Sequence, residues 1–385
     1  MAYTKRVVSL SRRALLSACS LPLLGATARP RVACIMNAYY PDAHADVFFS
    51  RLLDGYRLNQ AWHAPRLEAV SFYVDQFPVN DMAREQAEEH GIRIFPSVGE
   101  AMRLGGSKVA VDAVAIVGEH GLYPRTPRGN VMYPRWRYFD EATRTMREDG
   151  RVLPIYQDKY FAYDWKDARA TYDRVREMGI PFMCGSTVPL SWKRPAIEVP
   201  RGTAFTEVLA TSYSDVEEHA YHGIEAMQAM AERRGHETGV ERVRWVGSEE
   251  FGEACPGALL DAALARRVNA VPPVNGRVSR EAFLIQYRDG LRGTVAHLPQ
   301  ETRDYCFAGL VRGRTEPLAT CCYIELYLHN HWSFMVRNFE DLVTTKREPN
   351  PIERTLLANG ILLAGLESRG QKGKWVDTPE LDISY

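Results

Sequence analysis

The sequence predicts an α/β protein: a Rossmann-like, parallel-sheet N-terminal domain, then an α+β domain with an open, largely antiparallel sheet. Three observations carry this. The run Val109–Val117 is apolar almost throughout, rich in β-branched residues and ended by Gly118, as a strand buried on both faces of a parallel sheet reads. Short apolar runs alternate with amphipathic segments from residue 31 to residue 186. Beyond residue 188 that alternation gives way to a hairpin signal and long helical segments.

Taken in order, Arg31–Met36 is a first strand, followed by an amphipathic segment from Ala45 to about Tyr56. Leu67–Asp75 is a second strand that ends in an acid. Asn80 predicts the cap of a helix through Glu89, with Gly91 as its stop. Ile92–Phe95 is a third strand, Val98–Leu104 a short helix and Val109–Val117 the fourth strand. The polar loop Gly118–Tyr133 is longer than most connections in compact domains, which marks it as functional. Tyr138–Arg147 is helical, Val152–Tyr156 a fifth strand, Asp164–Met178 a capped helix stopped by Gly179, and Pro181–Ser186 the sixth strand. In the second half, Thr206–Tyr213 and Val243–Val246 read as strands and Glu217–Arg234 as a helix. Ala282–Tyr287 and Leu291–Ala296 form a hairpin around Asp289-Gly290. Ala319–Leu328, a helix around Phe334–Val343 and an amphipathic helix over 351–369 complete the pattern, before an irregular tail.

A chain of 385 residues is long enough for two domains, placed at 30–187 and 188–385. Its 48 basic and 48 acidic side chains cancel, which argues against nucleic acid or an anionic membrane as partner. No apolar run reaches the ~18–20 residues of a membrane span. Residues 1–28 read as a signal peptide. A basic start precedes Arg12-Arg13, an apolar stretch and Ala26-Thr27-Ala28, a pattern of the twin-arginine type that sends a folded protein to the periplasm or beyond. Cys19 lies inside it, and the other six cysteines fit no disulfide or zinc spacing.

Polar groups just past the carboxyl end of a buried parallel strand lie where open α/β sheets bind ligands. Glu119, His120 and Tyr123 are therefore candidates after the fourth strand, and Asp158 and Lys159 after the fifth. A lysine in that place can lose enough of its basicity to exchange protons near neutral pH, or it can simply pair with Asp158. His219, His222 and Glu225 recur at helical spacing and share a face. They offer proton transfer, substrate contacts, or, with Glu119 or His120, a divalent metal site of imidazole and carboxylate. His329 and His331 alternate as on one strand face beside Trp332, where a core role competes with ligation.

Phe72-Tyr73-Val74-Asp75, Ala87–Ile92, the Ser97–Met102 helix and Val111–Val114 occur in the order of the first domain of the Gfo/Idh/MocA family, which includes glucose–fructose oxidoreductase and inositol dehydrogenase. Gln157-Asp158-Lys159 resembles that family's Glu-Lys-Pro motif, Tyr221–Glu225 its His-x-x-Asp pattern, and Ile352–Ser368 its C-terminal helix. The resemblance implies an oxidoreductase acting on a sugar or polyol between two domains, a homo-oligomer, and Lys159 with His222 as the proton-transfer pair. Glu119, His120 and Asp158 stand around that pair. It also implies NAD or NADP, with Asp75 on the ribose and Asn37 and His44 at the cofactor loop. The chain departs from the family there. If His44 matches the histidine that follows the G-x-G-x-x-G loop, the three glycine positions fall on Met36, Ala38 and Pro41. Side chains at these positions obstruct the close approach of a pyrophosphate to the backbone. Two further readings stay open: a cofactor-independent or metal-dependent carbohydrate lyase or isomerase, and a non-catalytic binding protein. Without the dinucleotide, the Gly121–Tyr133 loop could fill its space with Tyr123, Tyr133 and Trp136.

Overall fold

The computed structural model describes residues 28–272 and 278–385, so the signal-peptide reading falls outside it. The N-terminal half contains β1 (Arg31–Met36), α1 (His44–Asp54), a small hairpin of β2 (Tyr56–Leu58) and β3 (Ala61–His63), β4 (Glu68–Val74), α2 (Ala83–Glu89) and β5 (Arg93–Phe95). Then come α3 (Val98–Arg103), β6 (Ala113–Val117), α4 (Arg135–Asp149), β7 (Ile155–Asp158), α5 (Trp165–Met178) and β8 (Phe182–Gly185). Six of these strands form one parallel sheet in the order β5-β4-β1-β6-β7-β8. Strand order reverses between β1 and β6, which makes that pair the topological switch point of a Rossmann-like sheet.

The alternation of side chains along each strand builds a core on both faces. Ala33 and Ile35 of β1, with Val114 and Ile116 of β6, pack under α3 and α4. Val32, Cys34 and Met36, with Ala113, Ala115 and Val117, pack under α1 on the opposite face. Both faces being apolar is why these strands read as continuous runs.

The second half consists of β9 (Trp192–Arg194), β10 (Phe205–Ser212), α6 (Val216–Ala231), β11 (Val240–Val246), α7 (Phe251–Ala254), α8 (Gly257–Leu264), β12 (Glu281–Tyr287) and β13 (Arg292–His297). It continues through β14 (Tyr305–Val311), β15 (Leu318–Tyr323), α9 (Trp332–Thr345), α10 (Ile352–Gly370) and β16 (Val376–Asp377). Its sheet runs β16-β11-β12-β13-β10-β14-β15-β9, antiparallel except for the β10–β13 pair. Helices α6 and α10 cover one face. Leu259, Leu260 and Ala263 of α8 pack on the other, against Leu209, Ala308 and Cys321.

Several local expectations are corrected. The helix expected from Asn80 starts at Ala83, because Asp81 accepts the Ala83 N–H and Met82 donates to the Tyr39 carbonyl instead. The fourth strand is shorter than its apolar run: Ala110 N–H turns to Met102 of α3, and regular pairing begins at Ala113. His329 and His331 are not on a strand. They lie in the turn that leads into α9, with His331 as its N-cap. The tail is not free, since Val376 pairs with β11 and the Tyr385 hydroxyl accepts from Gln228. Strand β14, which pairs with both β10 and β15, was not anticipated. Neither was the return of α9 to the N-terminal sheet, where Trp332, Met335, Val336 and Phe339 join the core beneath α1.

Candidate active site between the two sheets

The carboxyl ends of β6 and β7, the first turns of α1 and α6, and the turn before α9 enclose a cavity of about 210 Å³. Its walls carry His44, His120, Lys159, Glu218, His219, His222, His329 and His331, with Asp42, Tyr213, Tyr305 and Trp332. Six of the chain's ten histidines thus face one space.

At the base lies a buried charge cluster. Lys159 Nζ donates to Glu119 Oε2 at 3.0 Å, and Arg135 pairs with the other oxygen of Glu119. Gly118 allows this. A Cβ there would meet Arg135 Cγ at 2.7 Å, so only glycine lets the arginine stem pass. The Arg135 guanidinium lies 4.3 Å from the centre of the Tyr160 ring. Burial holds the Lys159 pKa below its ordinary value, although Glu218, Asp158 and Glu217 pull the other way. Lys159 and His120 both adopt positive φ, 59° and 65°, uncommon for non-glycine residues and typical of functional strand ends.

Asp158, the last residue of β7, is 1% exposed and accepts from the Tyr156 hydroxyl at 3.1 Å. His44, the first residue of α1, places Nδ1 2.6 Å from the other oxygen of Asp158. Burial alone would push the Asp158 carboxyl up. Contact with His44, then Lys159 and Arg135, outweighs it and holds the pKa below the usual range.

On α6, Asp215 caps the helix through the Glu217 and Glu218 N–H groups and sets His219 and His222 against the cavity. His222 Nδ1 lies 2.6 Å from Ser186 Oγ, which also accepts the Val188 N–H at 3.0 Å. Burial, then the charge of Lys159, pushes His222 well below its ordinary pKa, and burial takes His219 down to about 3. Glu225 faces away from this cavity. It accepts from Ser186 N–H at 2.6 Å and from Thr355 at 2.8 Å, with Gly185 (φ 116°) leaving room for its carboxylate. The structure thus separates the Glu225 carboxylate from His219 and His222, which line the cavity while it does not. Among the described residues, the one group of three metal-capable side chains within reach of a single ion is Asp304, Cys306 and Cys321, buried beneath α8. Asp304 already accepts from the Val268 and Asn269 N–H groups.

The remaining sequence candidates meet at the switch point, outside the cavity. Asp75 accepts from Tyr73 and from Tyr123, each at 2.7 Å, and from Arg137. Gln76 and Leu122 exchange two hydrogen bonds, 3.0 and 2.9 Å. Asn37 Nδ2 donates to the His120 carbonyl at 3.0 Å, while its Oδ1 accepts from Tyr138 at 2.7 Å. These bonds stitch the ends of β1, β4 and β6 together. Met36 and Ala38 are buried, and Asp46 occupies the first turn of α1, where it accepts the Asp42 N–H at 2.9 Å. A pyrophosphate approaching this turn would meet the side chains of Met36, Ala38 and Pro41 and the Asp46 carboxylate. Asp75, the acid expected on the ribose, is already held by three side chains. The residues present do not fit a dinucleotide in this crevice.

Fold and site together define a class: a Rossmann-like parallel sheet in the N-terminal half and a mixed, mostly antiparallel sheet in the C-terminal half, with a polar pocket between them. Solved structures with this fold include inositol dehydrogenases and other dehydrogenases. One is the scyllo-inositol dehydrogenase of Lactobacillus casei with bound NAD(H) and scyllo-inositol, at TM-score 0.58 and 10% identity over 91% of this chain and 99% of that one. GenD2 from gentamicin A biosynthesis, in complex with NAD, gives 0.58 and 13% over 91% and 97%. A putative myo-inositol dehydrogenase from Sinorhizobium meliloti 1021 gives 0.56 and 14% over 90% and 99%. At such identities the likeness is one of fold. No family model and no curated protein matches the sequence.

Proposed function

We propose that this protein acts by proton transfer on a sugar- or polyol-type substrate held in the interdomain cleft, with Lys159 and His222 as acid–base groups. The carrying observation is the cavity itself. It is small, it gathers six imidazoles around the buried Lys159 side chain, and a protein of this fold was solved with scyllo-inositol bound. Glu119 positions Lys159, and Ser186 orients His222. Export through the N-terminal signal and assembly into a homo-oligomer belong to the same proposal. They are tested by cell fractionation and by sedimentation.

A second reading, NAD(P)-dependent dehydrogenation, draws on the neighbours solved with NAD. The filled crevice opposes it. One experiment decides between them: protein purified without added cofactor is denatured, and the released small molecules are identified by absorbance and mass spectrometry. Near-stoichiometric NAD or NADP would establish the dehydrogenase. Absence of nucleotide, together with calorimetric binding of a sugar or inositol, supports proton-transfer chemistry.

A further inference from the structure

The cavity contains one histidine that the sugar-directed reading does not use and that is built differently from the rest. His44 Nδ1 lies 2.6 Å from Asp158, whose carboxylate is fully enclosed and held in turn by Tyr156. The imidazole is wedged edge-on between His120, 4.9 Å between ring centres, and Trp332, 4.6 Å. Among the described residues its Nε2 has no protein partner, and the side chain lines the cavity. The other cavity histidines lack such support. His219 and His331 leave a buried Nδ1 unpartnered, His222 leans on a hydroxyl, and His329 is 3.5 Å from an exposed Asp42. A buried carboxylate that fixes one ring nitrogen and leaves the other aimed at a ligand is the base–orienter pair of general-base catalysis.

We infer that His44, oriented by Asp158, is the general base that removes a proton from the carbon next to the carbonyl of a hydroxy-carbonyl sugar. This rests on the sugar-directed reading of the cleft and names its reaction class, an isomerisation that needs no dinucleotide. His44 Nε2 takes the C2 proton of an aldose. The C–H electron pair becomes the C1=C2 double bond, and the carbonyl electron pair moves to O1, giving an enediolate whose charge faces the Lys159 ammonium. The imidazolium then returns the proton to C1, while His222 passes the O2 proton to O1. The product is the ketose, with every proton and electron pair accounted for and no co-reactant consumed.

The test uses the full chain in D2O with a panel of D-glucose, D-xylose, D-fructose and D-xylulose. Carbon-bound deuterium is followed by NMR, and binding by calorimetry. Wild type is expected to wash deuterium into at least one sugar. His44→Gln and Asp158→Asn should each lower that rate by about 10²–10⁴-fold with sugar binding retained. In His44→Ala, free imidazole should restore part of the rate, a response that a purely structural histidine would not give. Unchanged circular dichroism melts identify the variants that remain folded, and the imidazole rescue serves as the readout if Asp158→Asn does not. Sugar binding with no exchange in wild type, or exchange that survives His44→Gln, overturns the inference and leaves the sugar reading standing. If no sugar on the panel binds, both fall together.

Discussion

Tyr123 reaches across the switch point and donates its hydroxyl to Asp75 at 2.7 Å, closing the crevice with the protein's own side chains. Arg137 and Tyr73 complete the shell around that carboxylate, and together these bonds hold its pKa below the usual range although burial pushes upward. Tyr123→Phe is expected to cost about 1.5–3 kcal/mol in urea unfolding, as loss of a hydrogen bond to a charged acceptor does. Calorimetry with millimolar NAD or NADP should give no heat for either protein, because Met36, Ala38 and Pro41 still occupy the pyrophosphate loop. Tight binding to wild type would show that the crevice opens.

Glu119 neutralises two cations in a place water does not reach: its side chain is 1% exposed, and those of Arg135 and Lys159 are 0% and 3%. Glu119→Gln leaves both charges facing an amide. The expected loss is about 3–5 kcal/mol of unfolding free energy, the cost of breaking a buried ion pair from one side. A loss below 1 kcal/mol would mean that water enters the cluster.

Acid should destabilise the site before it reaches the carboxylates. Burial holds His219 and His331 at about 3 in the folded protein, against an ordinary value of 6.5. The unfolded chain therefore binds protons that the folded one refuses. Stability from this source is complete above 6.5 and declines as pH falls towards 3, by up to about 1.4 kcal/mol per pH unit for each ring. Glu217 and Glu225, raised by burial, act in the opposite sense. The histidine contribution is isolated by comparing wild type with His331→Gln at pH 7, 6 and 5. The gap should shift in favour of the variant with each step down, and a constant gap would refute the buried neutral ring.

Lys346 ends α9 in the left-handed region, φ 59°, with its side chain exposed. Lys346→Gly relieves that conformation at a helix C-terminus and should raise stability by about 0.5–1 kcal/mol without altering ligand binding. Thermal unfolding of the two proteins checks it.

By itself the sequence determined most of the elements of the parallel sheet and the hairpin of the second one. Continuous apolar runs marked strands buried on both faces, Asp164 and Gly179 bracketed α5, and Asp289-Gly290 turned the β12–β13 hairpin, because periodicity, caps and turn chemistry act over a few residues. It also placed Lys159 and Asp158 at a strand end and His222 on a helix, within the space the structure closes. Tertiary structure alone decided which groups meet. His44 and Asp158 are 114 positions apart and Lys159 and Glu119 are 40 apart, while α9 crosses back from the second half to bring His331 and Trp332 to the cleft. His44 read as a cofactor-loop residue because its neighbours in sequence belong to that loop. In space its partner is a carboxylate two strands away. Glu225, in helical register with His222, turned instead to Ser186 and Thr355, since a buried carboxylate goes where N–H and O–H donors await it, and those donors come from the residue after β8 and from α10.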